Sequence, residues 1–165
     1  MVTLVHDIQP ITETDRFDVV MLATTIYGEL ENGFQKEIAE KYPYVNEANI
    51  KQPYGDLRRL GTRLTIHKGS DPTITLLYTC CAKGQSKYVL DMDAYIHSLR
   101  TANNEFKGMR VLSPIIGATK WDGKLCVKEA LDILEENTSD MNLFIFDSPK
   151  NIYSQTKTQL NGEKA

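Results

Sequence analysis

The chain has 165 residues, of which 41% are hydrophobic and 25% charged, and this predicts one globular domain with a substantial core. Its formal net charge is −3 and its isoelectric point is about 5.6, so bulk electrostatics gives no support for nucleic-acid binding. No apolar run approaches the ~18 residues that a membrane span needs, and the first residues do not resemble a signal peptide. We therefore expect a soluble protein without membrane or nucleic-acid partners.

The cysteines are too few and too irregularly spaced for a disulfide framework. Cys80 and Cys81 are adjacent, Cys126 stands apart, and neither a CxxC nor an HExxH spacing occurs. This pattern is typical of a reducing compartment, so we expect a cytoplasmic protein. It also predicts no metal site and no cofactor.

The hydrophobic pattern predicts alternating strands and helices. In chain order we predict strands at 2–8 and 17–25, a helix at 33–42, a short helix and loop within 44–60, strands at 62–68 and 73–81, a helix at 88–106, a strand at 109–116, a helix at 124–136 and a strand at 141–146. The unbroken apolar run from Val19 to Ala23 is typical of a strand buried on both faces. Met92, Ile96, Leu99 and Phe106 are predicted to share one helix face.

Alternation of this kind favours an α/β fold in which helices cover both faces of a mixed central sheet. In such sheets, ligands bind outside the carboxyl ends of the strands. We predict that residues 1–147 form this domain and that residues 148–165 form a polar C-terminal tail.

The first candidate binding segment joins the second strand to the first helix. Gly28 and Gly33 permit tight turns or close backbone approach to a ligand, and free N–H groups at the helix start would face an anion. Asn32, however, is a good N-cap residue, and Glu29 and Glu31 oppose anion binding unless they point to solvent. Taken alone, the segment is better explained as a turn with a helix cap.

The second candidate segment, residues 113–123, also joins a strand to a helix. Its small or donor-bearing residues, which could contact a phosphate, are Gly117, Ala118, Thr119 and Lys120. Asp122 could cap the following helix, and Trp121 could belong to the core. The binding and structural interpretations of this segment are evenly matched.

Two further residues stand at predicted strand ends. Asp7 could cap a turn, or its carboxylate could accept a hydrogen bond from an amino group such as that of adenine. Phe146 could belong to the core or stack on a base. The histidines are scattered and fall in no acid–base motif.

Together, these segments resemble the macro domain, the ADP-ribose-binding fold, over roughly residues 2–147. Residues 5–8 look like the family's Gly-Asp-Ile segment, and residues 17–43 like its apolar strand, glycine-rich loop and "G-I-A…K-K-Y-P" helix. Residues 112–123 look like its second loop. The likeness is nearest to the branch of ADP-ribose-1″-phosphate phosphatases and terminal ADP-ribose hydrolases, including small phage-encoded members. It implies a three-layer α/β/α macro-like fold.

The resemblance also implies roles for individual residues. Asp7 would meet adenine, two loop–helix junctions would grip the diphosphate, and the distal ribose would lie near Thr25, Asn32 and Thr119. The whole implied ligand-binding set is Asp7, Ile8, Thr25, Gly28, Asn32, Gly33, Phe34, Ser113, Gly117, Ala118, Thr119 and Phe146. For hydrolysis, Asp122 is the candidate base, and Lys120 and Lys83 are the candidate cations.

The chain departs from the family pattern at several of these positions. Thr25 stands in place of a family Asn, Thr119 in place of a loop Gly, and Trp121 in place of a loop Asp. The family's strand-end Lys is absent where Cys80 and Cys81 stand. Kinship with the phosphatase branch favours a hydrolase of an ADP-ribose derivative. The departures favour a non-catalytic module that binds or sequesters ADP-ribose or a related nucleotide. A degenerate fold that binds a protein is the third alternative.

Overall fold

The fold is seen in a computed structural model, which describes residues 1–6, 8–28, 30, 33–80, 90–116 and 125–146. Its elements, in chain order, are β1 (Val2–Val5), β2 (Val19–Thr25), α1 (Gly33–Lys41), α2 (Pro43–Ile50), β3 (Arg63–Ile66), β4 (Thr73–Cys80), α3 (Met92–Glu105), β5 (Arg110–Pro114), α4 (Val127–Asn137) and β6 (Asn142–Phe146). Short 3-10 turns cover Pro10–Thr12, Thr14–Arg16 and Leu57–Arg59. Every predicted strand and helix is present, with shifted ends. The predicted tail, residues 148–165, lies outside the described residues.

The ends of the helices follow local chemistry. Pro43 closes α1, as predicted, and also opens α2, because its fixed φ suits the first turn of a helix. Helix α3 begins at Met92 rather than at residue 88, since the Asp91 side chain accepts the backbone N–H of Ala94 at 2.9 Å. Within the described residues, no helix is both long and apolar enough to cross a lipid bilayer.

The strands form one six-stranded mixed sheet in the order β1-β6-β5-β2-β4-β3. All neighbouring strands are parallel except β3, which pairs antiparallel with β4 at one edge. Strand β2 lies inside the sheet, and Val19 to Leu22 are at most 1% exposed. The prediction of a strand buried on both faces is confirmed.

Alternate residues of β2 serve the two faces of the sheet. Val19 and Met21 join the cluster formed with α3 and α4, whereas Val20 and Leu22 join the cluster formed with α1 and α2. This alternation is the two-residue period of a strand. The sheet is therefore covered by helices on both faces, and the predicted three-layer α/β/α fold is confirmed.

The buried face of α3 differs in part from the prediction. Tyr95, Leu99 and Ala102 are fully buried, and Phe106 follows on the same face, but Ile96 is only partly buried. Residues 95, 99, 102 and 106 follow one stripe at intervals of three or four, so Tyr95 takes the place that the prediction gave to Ile96.

Candidate functional site

The carboxyl ends of five parallel strands meet at one edge of the sheet. These ends are Val5, Phe146, Pro114, Thr25 and Cys80. From β2 the parallel strands continue in one direction to β4, and from β5 they continue in the opposite direction to β6. The strand order therefore reverses between the neighbouring strands β2 and β5. Open α/β sheets bind ligands at such a point.

The two strands at this point also separate. Strand β2 pairs with β5 only where Val19 meets Val111 and Val20 meets Leu112, so the last five residues of β2 have no ladder to β5. We take the unpaired gap between the carboxyl ends of β2 and β5 as the candidate cleft, which we call the β2–β5 cleft.

The first loop begins with a local turn built by Thr25. The Thr25 hydroxyl accepts the Tyr27 N–H at 3.0 Å and donates to the Tyr27 carbonyl at 3.3 Å. Thr25 is only 9% exposed. Its hydroxyl is thus engaged within the loop, and its predicted contact with a ribose stays a prediction.

Both predicted loop glycines have left-handed backbones. Gly28 has φ +74° and Gly33, the first residue of α1, has φ +52°, so a side chain at either position would be strained. The α1 N-terminus therefore lies directly after the first loop, as predicted. Its free N–H groups would favour an anion there.

Gln35 in the first turn of α1 reaches the cleft, although sequence reasoning did not single it out. Its Nε2 donates to the carbonyl of Ala23 at 2.7 Å, beyond the point where β2 leaves β5. A polar residue in the first helical turn gave no signal of this contact, which depends on how far the two strands separate.

Aromatic rings connect the first loop to the last strand. Phe34, at the start of α1, packs edge-to-face against Phe146 with ring centroids 4.7 Å apart. Phe146 is only 3% exposed, and Ile8 is half-buried. The structure therefore brings Phe34 and Phe146 together. Phe146 belongs to the core, and stacking on a base stays a prediction.

The described start of the second loop is tied to the sheet. Ser113 is fully buried, and its hydroxyl donates to the Pro114 carbonyl at 2.8 Å. The Ile115 N–H donates to the Phe146 carbonyl at 3.1 Å. The remaining predicted site residues lie outside the described residues. They are Asp7, Asn32, Lys83, Gly117, Ala118, Thr119, Lys120 and Asp122.

A polar network supports the first loop from the side of α2, and sequence reasoning missed it. Asn49 donates to the Gly28 carbonyl at 2.6 Å and accepts from the Tyr78 hydroxyl at 2.8 Å. Arg59 donates to the Ile26 carbonyl at 2.9 Å. Asn49 and Arg59 thus hold the carbonyls of Gly28 and Ile26 in place.

The charges beside the loop have defined states. Hydrogen bonds from Arg58 lower the pKa of Asp56 to about 2, so this carboxylate is ionised at neutral pH. Burial raises the pKa of Tyr78, while the nearby Arg59 acts in the opposite direction. Among the described residues, no group of three His, Cys, Asp or Glu side chains could hold a metal ion.

A shallow depression of about 440 Å³ lies elsewhere, beside the C-terminal half of α1. It is lined by Ile11, Thr12, Glu37, Glu40 and Lys41. Its two glutamates disfavour an anionic ligand, and it is not at the strand ends. We therefore place the candidate site in the β2–β5 cleft.

An open α/β/α sheet with a cleft at the point of strand-order reversal defines a small class of ligand-binding folds. Among solved structures, the macrodomain of Thermus aquaticus DarG matches with a TM-score of 0.66 and 14% identity, over 89% of this chain and 97% of that chain. Thermosipho africanus DarTG in complex with ADP-ribose matches with a TM-score of 0.69 and 12% identity, over 91% of this chain and 42% of that chain.

A third match is the Trypanosoma brucei macrodomain in complex with ADP-ribose, with a TM-score of 0.60 and 12% identity, over 96% of this chain and 68% of that chain. No protein-family model and no curated protein matches the sequence. The chain has the macrodomain fold, and the predicted resemblance is confirmed at the level of fold.

Proposed function

We propose that this chain binds ADP-ribose, or a phosphorylated derivative of it, in the cleft between the carboxyl ends of β2 and β5. The observation that carries the proposal is the separation of these strands beside the N-terminus of α1. A diphosphate bound there would meet free backbone N–H groups. Two of the structures that share this fold hold ADP-ribose, which supports the same choice of ligand.

The proposed ligand is placed by the loops that leave the strands. The diphosphate lies between the first loop, ending at Gly33, and the second loop, containing Gly117. Asp7 accepts a hydrogen bond from the adenine amino group, and the distal ribose lies near Thr25 and Thr119. The free cysteines Cys80 and Cys126 fit the proposed cytoplasmic location.

The finer proposal is that the chain hydrolyses its ligand, as a phosphatase of ADP-ribose-1″-phosphate or as an ADP-ribosyl hydrolase. Asp122 would activate water as the base, and Lys120 or Lys83 would stabilise developing negative charge. In the sequence, these residues follow β4 and β5, whose carboxyl ends lie at this edge of the sheet, and this supports the proposal.

A non-catalytic binding module is the second candidate. The observation that favours it concerns Thr25, whose hydroxyl forms hydrogen bonds with the Tyr27 backbone. Such a module would hold ADP-ribose without turnover. Binding and phosphate release therefore have to be measured separately.

We expect ADP-ribose to bind at least about tenfold more tightly than AMP or ribose 5-phosphate, because only ADP-ribose spans both loop–helix junctions. Isothermal titration calorimetry with the three compounds measures this difference. Equal affinities for AMP and ADP-ribose, or no heat with any of them, would contradict the proposal. Release of phosphate from ADP-ribose-1″-phosphate then distinguishes the hydrolase from the binding module.

A further inference from the structure

Arg59 is a buried cation beside the first loop. It ends the 3-10 turn Leu57–Arg59 and is only 8% exposed. Its guanidinium carbon lies 4.2 Å from the centroid of the Tyr78 ring. Its Nη1 donates to two carbonyls, that of Ile26 at 2.9 Å and that of Pro53 at 2.6 Å.

The other two nitrogens of this guanidinium are buried and have no hydrogen-bond partner within the described part of the chain. They are Nε and Nη2, which share one edge of the planar group. This edge matches two oxygens of a carboxylate or a phosphate, through two parallel N–H···O bonds. The Nε–Nη2 edge therefore has no hydrogen-bond acceptor within the described residues, whereas Nη1 binds the Ile26 carbonyl of the first loop.

Within the described part of the chain, no carboxylate forms an ion pair with Arg59, although the charge of Arg59 helps to lower the pKa of Asp56. Asp56 is committed to Arg58, which donates to it from Nε at 3.0 Å and from Nη2 at 2.7 Å. The Tyr78 hydroxyl donates its proton to Asn49 at 2.8 Å and is therefore neutral. The two carbonyls and the Tyr78 ring stabilise this cation only in part, and leaving two of its buried N–H donors unpaired is costly, so an anion at the Nε–Nη2 edge would complete the arrangement.

The position of Arg59 connects it to the candidate cleft. Ile26, which it holds, is the first residue after β2, and Tyr78, on which it stacks, is near the carboxyl end of β4. Arg59 thus lies on the β4 side of β2, whereas β5 and the proposed diphosphate site lie on the other side. An anion at Arg59 would be a separate group from the diphosphate.

We propose that the Nε–Nη2 edge of Arg59 is a receptor for a second oxyanion of the ligand, a phosphate or a carboxylate, on the β4 side of β2. The place of this anion within the ligand rests on the proposed function. The substrate class is then an ADP-ribose derivative that carries a further anionic group beyond its diphosphate. Arg59 selects this class and also fixes the loop through Ile26.

The test observes the Arg59 Nε–H group of the full chain by nuclear magnetic resonance during titration with inorganic phosphate and, separately, with acetate. We expect a saturable shift of this resonance with one of the two, and this identifies the oxyanion. Arg59→Lys keeps the charge but loses the paired donors, and should bind the same anion about tenfold to a hundredfold more weakly. Because this variant has no Nε–H group, the backbone amide resonances of Ile26 and Tyr78 report the affinity in both proteins. Arg16→Lys, at a 69% exposed side chain that pairs with Glu13, is the matched control and should leave the anion affinity unchanged.

Three results would overturn the proposal. One is the absence of a saturable shift with both anions in protein whose fold is verified by urea unfolding. Another is equal anion affinity in wild type and Arg59→Lys. The third is a change of the Arg59 resonance in ligand-free Glu29→Gln or Glu31→Gln, which would assign the partner to a carboxylate of the chain itself. Glu29 and Glu31 lie outside the described residues.

The same measurements distinguish failure of the proposed function from failure of the oxyanion receptor. If phosphate or acetate shifts Arg59 but ADP-ribose gives no heat, the oxyanion receptor stands and the proposed function fails. If ADP-ribose binds wild type and Arg59→Lys equally and neither anion shifts Arg59, the proposed function stands and the receptor is refuted.

Discussion

Gly33→Glu is expected to weaken ADP-ribose binding roughly tenfold to a hundredfold more than Gly33→Gln does. Gly33 is the first residue of α1, and no described heavy atom beyond its chain neighbours and helix backbone lies within 4 Å of a Cβ placed there, so neither variant clashes at that atom. Both suffer the same strain, because φ is +52°. They differ in charge: a carboxylate a few ångströms from a diphosphate costs about 1 kcal/mol or more per phosphate charge.

The measurement compares the dissociation constants and the urea stabilities of the two variants. High salt should narrow the difference, because the Debye length falls from about 8 Å at 0.15 M to about 3 Å at 1 M. If the second loop also contacts the diphosphate, Gly117→Glu should likewise weaken ADP-ribose binding more than Gly117→Gln does. Equal affinities of the Glu and Gln variants at Gly33 would place the anion elsewhere.

Asn49→Leu is expected to destabilise the protein by about 2–4 kcal/mol, because it removes the partners of two groups at once. Asn49 is 1% exposed, accepts from the Tyr78 hydroxyl and donates to the Gly28 carbonyl. A leucine of similar size fills the space and satisfies neither group. Urea unfolding of the variant measures the loss.

Tyr78→Phe supplies the matched control for this network. In the double variant Asn49→Leu/Tyr78→Phe, the hydroxyl that Asn49→Leu would leave unpaired is gone. The double variant should therefore lose less stability than the two single variants lose in total, and the difference should be about 1 kcal/mol or more. Strict additivity would show that the bond between Asn49 and Tyr78 contributes nothing to stability.

Much of the fold could be predicted because its signals are local. The run from Val19 to Ala23 has the length and apolarity of a central strand, and Pro43 marks a helix boundary by its fixed φ. The buried face of α3 was partly wrong, because the choice between Tyr95 and Ile96 depends on what packs against the helix.

The contacts around the first loop could not be predicted, because they join residues far apart in the chain. Arg59 meets Ile26 across 33 positions, and Asn49 meets Tyr78 across 29. Nothing in the polar segment 44–60 distinguishes these side chains from solvated ones. Gln35 is similar, since its contact with Ala23 arises from the separation of β2 and β5.

The most direct test of a ligand site in the β2–β5 cleft is an amide chemical-shift titration of the full chain with ADP-ribose. We predict that the largest shifts fall at the carboxyl end of β2, on Gly28, on residues 33–35, and on the amides of Ser113, Ile115 and Ile116. The edge strand Arg63–Ile66 and the depression around Glu37 and Glu40 should show none. Saturable shifts confined to that depression, or spread over the amino ends of the strands, would contradict a ligand site in the β2–β5 cleft.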